Sequence, residues 1–230
     1  MSETAEDDSP WGPGYPKIDT CFRRDKNNVI IPWDWTYPTY RYLENNAFDW
    51  TEKVDGTNIR LHWVPGTDRV VIGGRTDRAQ LPGPLVAALE AQQIHNDWVS
   101  ILNKRFPETE YPVTFYGEGY GAGIQKGGGY SSTQHLIIFD CLQGHRWLDR
   151  PELFWAANEL GLETVPSLYQ GASPRSVCAA IRDGEVPSHW PGVIIEGLVG
   201  HPSVPIRDRF GRRISLKIKT CDWAKWKVQA

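Results

Sequence analysis

The sequence predicts an α+β chain dominated by antiparallel sheet, and two observations carry that expectation. Segments such as Ile59-Arg60-Leu61-His62-Trp63 and Ile214-Ser215-Leu216-Lys217-Ile218-Lys219 alternate apolar and polar residues, the period of a strand with one buried face. Between such segments fall two or three stretches with helix start and stop signals, and no internal repeat is present.

Taken in order, Met1 to Pro16 carries Glu3, Glu6, Asp7 and Asp8 among Ser, Gly and Pro, and reads as a disordered acidic tail. The first ordered piece is expected within Tyr15 to Arg24. Residues 17–230 are expected to form one domain with a short basic and aromatic C-terminal extension. Val29 to Tyr42, dense in aromatics and prolines, suits an extended segment. The strand Ile59 to Trp63 should bury Ile59, Leu61 and Trp63 and turn His62 to solvent. Pro65-Gly66-Thr67-Asp68 turns the chain into a second strand, Arg69 to Ile72. Leu85, Leu89, Trp98, Leu102 and Phe106 mark a helical region interrupted near His95-Asn96 and ended by Pro107. Strands follow at Pro112 to Glu118 and Leu136 to Cys141. Asp149-Arg150-Pro151-Glu152 starts a helix that Gly161 stops, and Ser173-Pro174 starts another that Gly184 closes. Gly192 to Val199 reads as a near-continuous apolar strand, and Ile214 to Lys219 as the last one.

The composition excludes several classes. No run of eighteen apolar residues occurs and no basic-then-apolar leader opens the chain, so no membrane partner and a cytoplasmic location are expected. Cys21, Cys141, Cys178 and Cys221 are scattered, with neither a Cys-x-x-Cys nor a His at metal spacing, which argues for reduced thiols rather than a zinc site. The net charge of −3 gives no global nucleic-acid signature, so any such partner must be held by a local basic patch.

Four features resist a purely structural account. Lys53, in Thr51-Glu52-Lys53-Val54-Asp55-Gly56-Thr57-Asn58, precedes an Asp-Gly turn that is equally ordinary as a hairpin signal. To act as a nucleophile it would need neighbouring cations, a divalent metal or desolvation to release its proton. Glu196 lies in Val193-Ile194-Ile195-Glu196-Gly197-Leu198-Val199, where the pattern implies burial and an isolated buried carboxylate is costly. Period two sends Ser215, Lys217 and Lys219 to one face, either a phosphate clamp or a solvated outer face. The glycine-crowded stretch Gly119 to Gly129 lacks the Gly-Lys-Ser/Thr ending of a P-loop and fits a mobile loop that orders over substrate, with Glu118 fixed at the strand end before it.

In order, Lys53-Val54-Asp55-Gly56-Thr57-Asn58, Arg75, Glu118, Phe139, Glu196-Gly197 and Lys217-Ile218-Lys219 resemble the motif series of the covalent nucleotidyltransferases, over roughly residues 48 to 220. Within that superfamily the pattern is most similar to the RNA ligase branch, in particular its nick-sealing RNA-repair type and related phage enzymes. The resemblance implies a nucleotidyltransferase (ATP-grasp-like) domain of antiparallel sheets flanked by helices. Only eleven residues follow Lys219, which leaves no room for the OB-fold of DNA ligases and capping enzymes.

The resemblance also implies roles. Lys53 would attack the α-phosphorus of ATP and hold AMP as a phosphoramidate, with Lys217 and Lys219 on the α-phosphate and Glu196 in the site of Mg²⁺ or Mn²⁺. Glu118 and Arg75 would orient the nucleotide, Phe139 would stack on adenine, Asn58 would lie near the phosphates, and Glu52 would frame the base pocket. The implied partner is RNA or DNA with 5′-phosphate and 3′-hydroxyl ends, handled by a monomer. The competing readings are a minimal DNA ligase, a capping-type guanylyltransferase, and a non-catalytic nucleotide- or RNA-binding module. Arg207, Arg209, Arg212, Arg213, Lys225 and Lys227, interleaved with Phe210, Trp223 and Trp226, form a candidate nucleic-acid surface or a solvated rim, and Arg23 and Arg24 a candidate grip on a terminal phosphate.

Overall fold

The computed structural model describes residues 9–125 and 129–229. The acidic residues 1–8 lie outside the described residues, as do Lys126 to Gly128 of the expected substrate-ordering loop. The strands are β1 (Asp19–Thr20), β2 (Phe22–Arg24), β3 (Ile30–Trp35), β4 (Phe48–Glu52), β5 (Thr57–Trp63), β6 (Val71–Gly74), β7 (Val113–Gly121), β8 (Gln134–Gln143), β9 (Arg146–Trp147), β10 (Glu163–Thr164), β11 (Ser167–Ala172), β12 (Gly197–Pro202) and β13 (Leu216–Lys219). The helices are α1 (Pro38–Tyr42), α2 (Gly83–His95), α3 (Trp98–Arg105), α4 (Arg150–Glu159), α5 (Pro174–Asp183) and α6 (Thr220–Gln229). Contacts divide the chain into two compact units, one holding the residues up to Pro16 with Asp55–Val165, the other Lys17–Val54 with the residues from Pro166 onward.

The first unit is built on a sheet of order β10-β8-β7-β5-β6, with β9 paired to β8. Period-two alternation turns Ile59, Leu61 and Trp63 of β5 and Phe115 of β7 toward one face, where Leu85, Leu89, Trp98, Leu102 and Leu153 from α2, α3 and α4 close a continuous core. The helices start and stop where the local chemistry demands. Asp149 and Glu152 form a reciprocal capping box at α4, with Pro151 in its first turn. Asp97 caps α3, separating it from α2 at the expected interruption.

The opposite face of this sheet departs from the expectation of a half-buried strand. Arg60 and His62 are both buried, because residues 9–16 run across them. Arg60 donates Nε to the Gly74 carbonyl at 2.6 Å, Nη1 to the Gly12 carbonyl and Nη2 to Asp77 at 2.9 Å, which is how a guanidinium can be buried at all. His62 Nδ1 lies 2.8 Å from the Thr114 hydroxyl. Gly12, at φ +73°, approaches the imidazole so closely that a Cβ would stand 2.3 Å from Nδ1. Tyr15 donates to Asp140 at 2.8 Å and packs its ring against Tyr116, Phe139 and Trp147. Residues 9–16 are therefore structured against the expectation of a tail, and the solvent-facing placement of His62 is corrected: Gly12 packs over the imidazole, and its carbonyl accepts from Arg60, so groups that alternation alone assigns to water are covered.

The second unit carries a sheet of order β1-β13-β12-β4-β11, antiparallel except for β1 on β13. Phe48, Trp50, Leu198, Leu216 and Ile218 pack against Val177, Cys178 and Ile181 of α5. Ser173 caps α5 and Gly184 ends it in the left-handed region, as expected. Three details differ from the sequence reading. The Val29–Tyr42 segment is extended only through β3 and then forms α1, with Pro38 at its first turn. The apolar run from Gly192 becomes a strand only at Gly197, since the Val193 N–H donates to Trp190 and the carbonyls of Ile195 and Glu196 accept from Thr220. Trp223 of α6 is buried against Phe22 and Trp33 and belongs to the core, not to a nucleic-acid surface.

The buried imidazole makes a test. Burial, reinforced by the Arg60 charge, holds the His62 pKa below the ordinary histidine value. A histidine with a depressed folded-state pKa stabilises the fold above its unfolded pKa of about 6.5, and that stability is lost as pH falls below it. Thermal denaturation of the wild type should therefore show a steeper loss of Tm between pH 7 and pH 5 than His62→Gln, which keeps a polar partner for Thr114 but does not titrate; superimposable slopes would refute the assignment.

Candidate active site

Strand register assembles the site in the second unit. In β12 against β4, Leu198 faces Glu52 and Val199 faces Thr51; in β12 against β13, Gly197 faces Lys219 and Val199 faces Lys217. Lys53 directly follows β4, and its N–H donates to the Gly197 carbonyl at 2.9 Å. Glu196 directly precedes β12, and its carbonyl accepts from Thr220 at 2.9 Å. Three neighbouring strands thus deliver Lys53, Glu196 and Lys219 to one end of the sheet. Gly197 permits the approach: a Cβ there would stand 2.1 Å from the Ile218 carbonyl oxygen.

The side chains meet as the backbone register allows. Lys53 Nζ lies 2.6 Å from Glu196 Oε2, and Lys219 Nζ lies 2.6 Å from Glu196 Oε1. The three side chains are 23%, 15% and 29% exposed, so the cluster is largely withdrawn from solvent. Burial opposes charge on Lys219, but the hydrogen bond to Glu196 and the charge of that carboxylate outweigh it and hold the pKa above the ordinary lysine value. Two ammonium groups on one carboxylate leave an excess positive charge, and Lys217 adds another cation on the same face of β13. Such a face suits a phosphate-bearing ligand.

Glu52, expected at a base pocket, has another employment in this structure. It is buried, and its two oxygens accept from the Ser188 hydroxyl at 2.6 Å and the His189 N–H at 2.7 Å, tying the 188–190 loop to the end of β4. No local motif announces Ser188, His189 or Thr220 as members of this network, because each acts through a long-range hydrogen bond. Arg24, expected at a terminal phosphate, is committed to Asp222 by two contacts of 2.9 Å.

The remaining expected residues belong to the first unit. Asn58 on β5 stands directly opposite Glu118 on β7, on the face that also carries Arg60 and Tyr116. The buried Asn58 Oδ1 has no hydrogen-bond partner, the state of an acceptor or amide that a ligand would complete. Gly56 lets the turn approach β7, since a Cβ would stand 2.1 Å from the Gly119 carbonyl and 2.9 Å from Glu118 Cγ. Phe139 sits at the β-bulge of β8, half-buried, with its ring 4.9 Å from Tyr15 in an edge-on arrangement. Arg75 is exposed just beyond β6.

Among the described residues no group of three or more His, Cys, Asp or Glu could cage a metal, so Glu196 is the carboxylate available at the lysine cluster. One carboxylate fits Mg²⁺ or Mn²⁺ bound chiefly through water and phosphate oxygens, and does not fit a dedicated protein-lined site. No helix among the described residues is long and apolar enough to cross a membrane.

Residues 48–219 match the sequence model of the RNA ligase family. No curated protein matches the chain. Among solved structures, the Naegleria gruberi RNA ligase with PPi superposes with a TM-score of 0.65 at 16% identity, over 100% of this chain and 62% of that one. A variant of the same ligase with ATP and Mn gives 0.59 at 17% identity, over 94% and 64%. Another such variant with ATP and Mn gives 0.60 at 19%, over 93% and 60%. These likenesses establish a shared fold, and the chain spans about three fifths of the length of those ligases.

Removing the shared carboxylate should destabilise the second unit. Glu196→Ala leaves two partly buried ammonium groups without a counter-ion, a loss of about 1–3 kcal/mol once partial solvent screening is allowed for. Adding Lys219→Ala should recover part of it. A double-mutant cycle by urea denaturation measures the coupling, and strictly additive losses would show that the three groups do not act as one cluster.

Proposed function

Because the chain belongs to the RNA ligase family, we propose that it is an ATP-dependent polynucleotide ligase whose nucleophile is Lys53. One observation carries this reading: Lys53 shares the Glu196 carboxylate with Lys219, so a candidate nucleophile, an acid and a second cation stand within direct contact. The family match, and the ATP and Mn present in structurally similar ligases, support ATP and a divalent metal as its reagents.

In the first step the Lys53 amine attacks the α-phosphorus of ATP. The N–P bond forms, the bond from phosphorus to the bridging oxygen breaks, pyrophosphate leaves with that electron pair, and the proton lost from the amine passes to solvent. The carboxylate of Glu196 holds Lys53 in place through one oxygen and Lys219 through the other. Glu196 would hold a divalent cation bound chiefly through water and phosphate oxygens, and that cation would supply positive charge to neutralise the phosphates. Lys217 and Lys219 then face the charge that develops on the α-phosphate. Asn58, Arg75, Glu118 and Phe139 take the nucleotide-orienting roles that the motif order implies, with Phe139 on the base and Asn58 toward the phosphates. Glu52 positions the end of β4, and hence Lys53, through Ser188 and His189.

The AMP passes next to the 5′-phosphate of a polynucleotide, and a 3′-hydroxyl displaces it to form the phosphodiester. RNA is the acceptor we assign. A DNA acceptor or a guanylyl donor would place the chain with the minimal DNA ligases or capping enzymes.

With Mg²⁺ and α-labelled ATP the protein should acquire label that survives denaturing electrophoresis and is absent in Lys53→Ala. Lys219→Ala should adenylylate roughly 100- to 1,000-fold more slowly, the cost of removing one preorganised charge-stabilising donor. Labelling by GTP and not ATP would assign a guanylyltransferase, and undiminished labelling of Lys53→Ala would end the nucleophile assignment. A sealing assay on nicked and single-stranded RNA and DNA fixes the acceptor.

A further inference from the structure

We infer that the hairpin Arg207–Arg213 and the groove beside β1 form one track for a single-stranded polynucleotide, with Phe210 as a stacking platform for a base. The inference rests on the ligase reading for its natural ligand, while its physical basis, Lys217 apart, lies in features that reading does not use.

Arg207 and Arg213 pair across an antiparallel bridge, with a turn between them that carries Asp208, Arg209, Phe210, Gly211 and Arg212. The turn is rigid: Asp208 Oδ1 accepts from the N–H groups of Phe210 and Arg212, and the Arg207 guanidinium donates to the Gly211 carbonyl at 2.8 Å. At its tip Phe210 is 66% exposed, which no packing requirement explains. The Arg209 and Arg212 guanidiniums lie 4.7 Å and 5.2 Å from the centre of its ring. Asp208 engages Arg212, while Arg209 has no carboxylate partner among the described residues. Two guanidiniums over a presented aromatic ring, one of them without a carboxylate partner among the described residues, match the chemistry of a nucleic-acid strand, whose bases offer flat π-faces and whose phosphates offer charge. A protein partner would be expected to meet a broader apolar patch than one ring framed by guanidiniums.

The hairpin leads directly into β13 and its lysines. Phe210 lies seven residues before Lys217, at most about 23 Å of extended chain. Tyr37 donates to Asp19 at 2.7 Å. Asp19 in turn lines a groove of about 500 Å³ together with Lys17, Arg23 and Lys217. Lys17, 75% exposed, lies 3.4 Å from Asp19, and Arg23, 59% exposed, lies 3.8 Å from Asp34; these long, exposed contacts let both cations turn to a phosphate. A strand stacked on Phe210 thereby has cations along its course to Lys217.

The test uses the full chain and a fluorescent 5′-phosphorylated oligouridylate, by anisotropy over a range of salt. Phe210→Ala should weaken binding roughly 5- to 30-fold, as expected for loss of one stacked base. Arg209→Gln should lower the slope of log K against log salt by about 0.7, one phosphate contact on a single strand. Both variants should form the lysyl-AMP adduct at the wild-type rate and melt at the wild-type temperature. Unchanged affinity and salt slope in both variants would overturn the track and leave the hairpin to a different class of partner, as would failure of the wild type to bind the oligonucleotide. If the wild type binds RNA through Phe210 yet forms no adduct with ATP, the track stands and the ligase reading falls.

Discussion

Each oxygen of the Glu196 carboxylate accepts from a different lysine at 2.6 Å, and much of the second unit serves to hold that arrangement. The register of three strands brings the backbone of Lys53, Gly197 and Lys219 into line, Gly197 removes the Cβ that would hold β12 and β13 apart, and Thr220 fixes the Glu196 carbonyl. Such a cluster adds little to stability. Attraction of a few kcal/mol per pair at an effective dielectric of about 20 is largely offset by desolvating three charges. What the cluster provides is orientation: three charged side chains are held together, largely withdrawn from solvent.

The first unit solves a different problem, that of a sheet with polar residues on both its strands' outward positions and no helix to cover them. A segment of alternating Pro and Gly lays its carbonyls over Arg60 and its tyrosine into the Tyr116, Phe139 and Trp147 cluster. The cover is itself polar where the sheet is polar and aromatic where the sheet is aromatic, and its Gly12 carbonyl joins the Gly74 carbonyl and Asp77 so that each Arg60 nitrogen has an acceptor.

Much of this was legible in the residues. Alternation in Ile214–Lys219 placed Ile214, Leu216 and Ile218 in the core and the two lysines on the other face, and the caps at Asp149 and Ser173 marked their helices to the residue. What escaped was non-local. Composition marks Ser9–Pro16 as unstructured because its order comes from the sheet beneath it, and His62 was misplaced for the same reason. Glu52 resembles a pocket residue until the loop it anchors, 136 residues away, is known. The run Val193-Ile194-Ile195 has the composition of a strand, yet Ile194 is 83% exposed because the backbone there is used to receive the start of α6. Trp223 could be assigned to a surface or a core only by seeing what packs on it.

The topology has a consequence for biogenesis. Lys53 and Glu196 are 143 residues apart, and both strands that flank β4 follow it by more than a hundred residues. At ordinary rates of synthesis the amine emerges roughly 7–30 s before its carboxylate. Throughout that interval the second unit has no sheet to complete and Lys53 has neither counter-ion nor companion cations, whereas the contiguous stretch from Asp55 to Val165 can already fold. Synthesis thus delivers Lys53 well ahead of Glu196 and Lys219, and the three-residue cluster cannot form until both have been made.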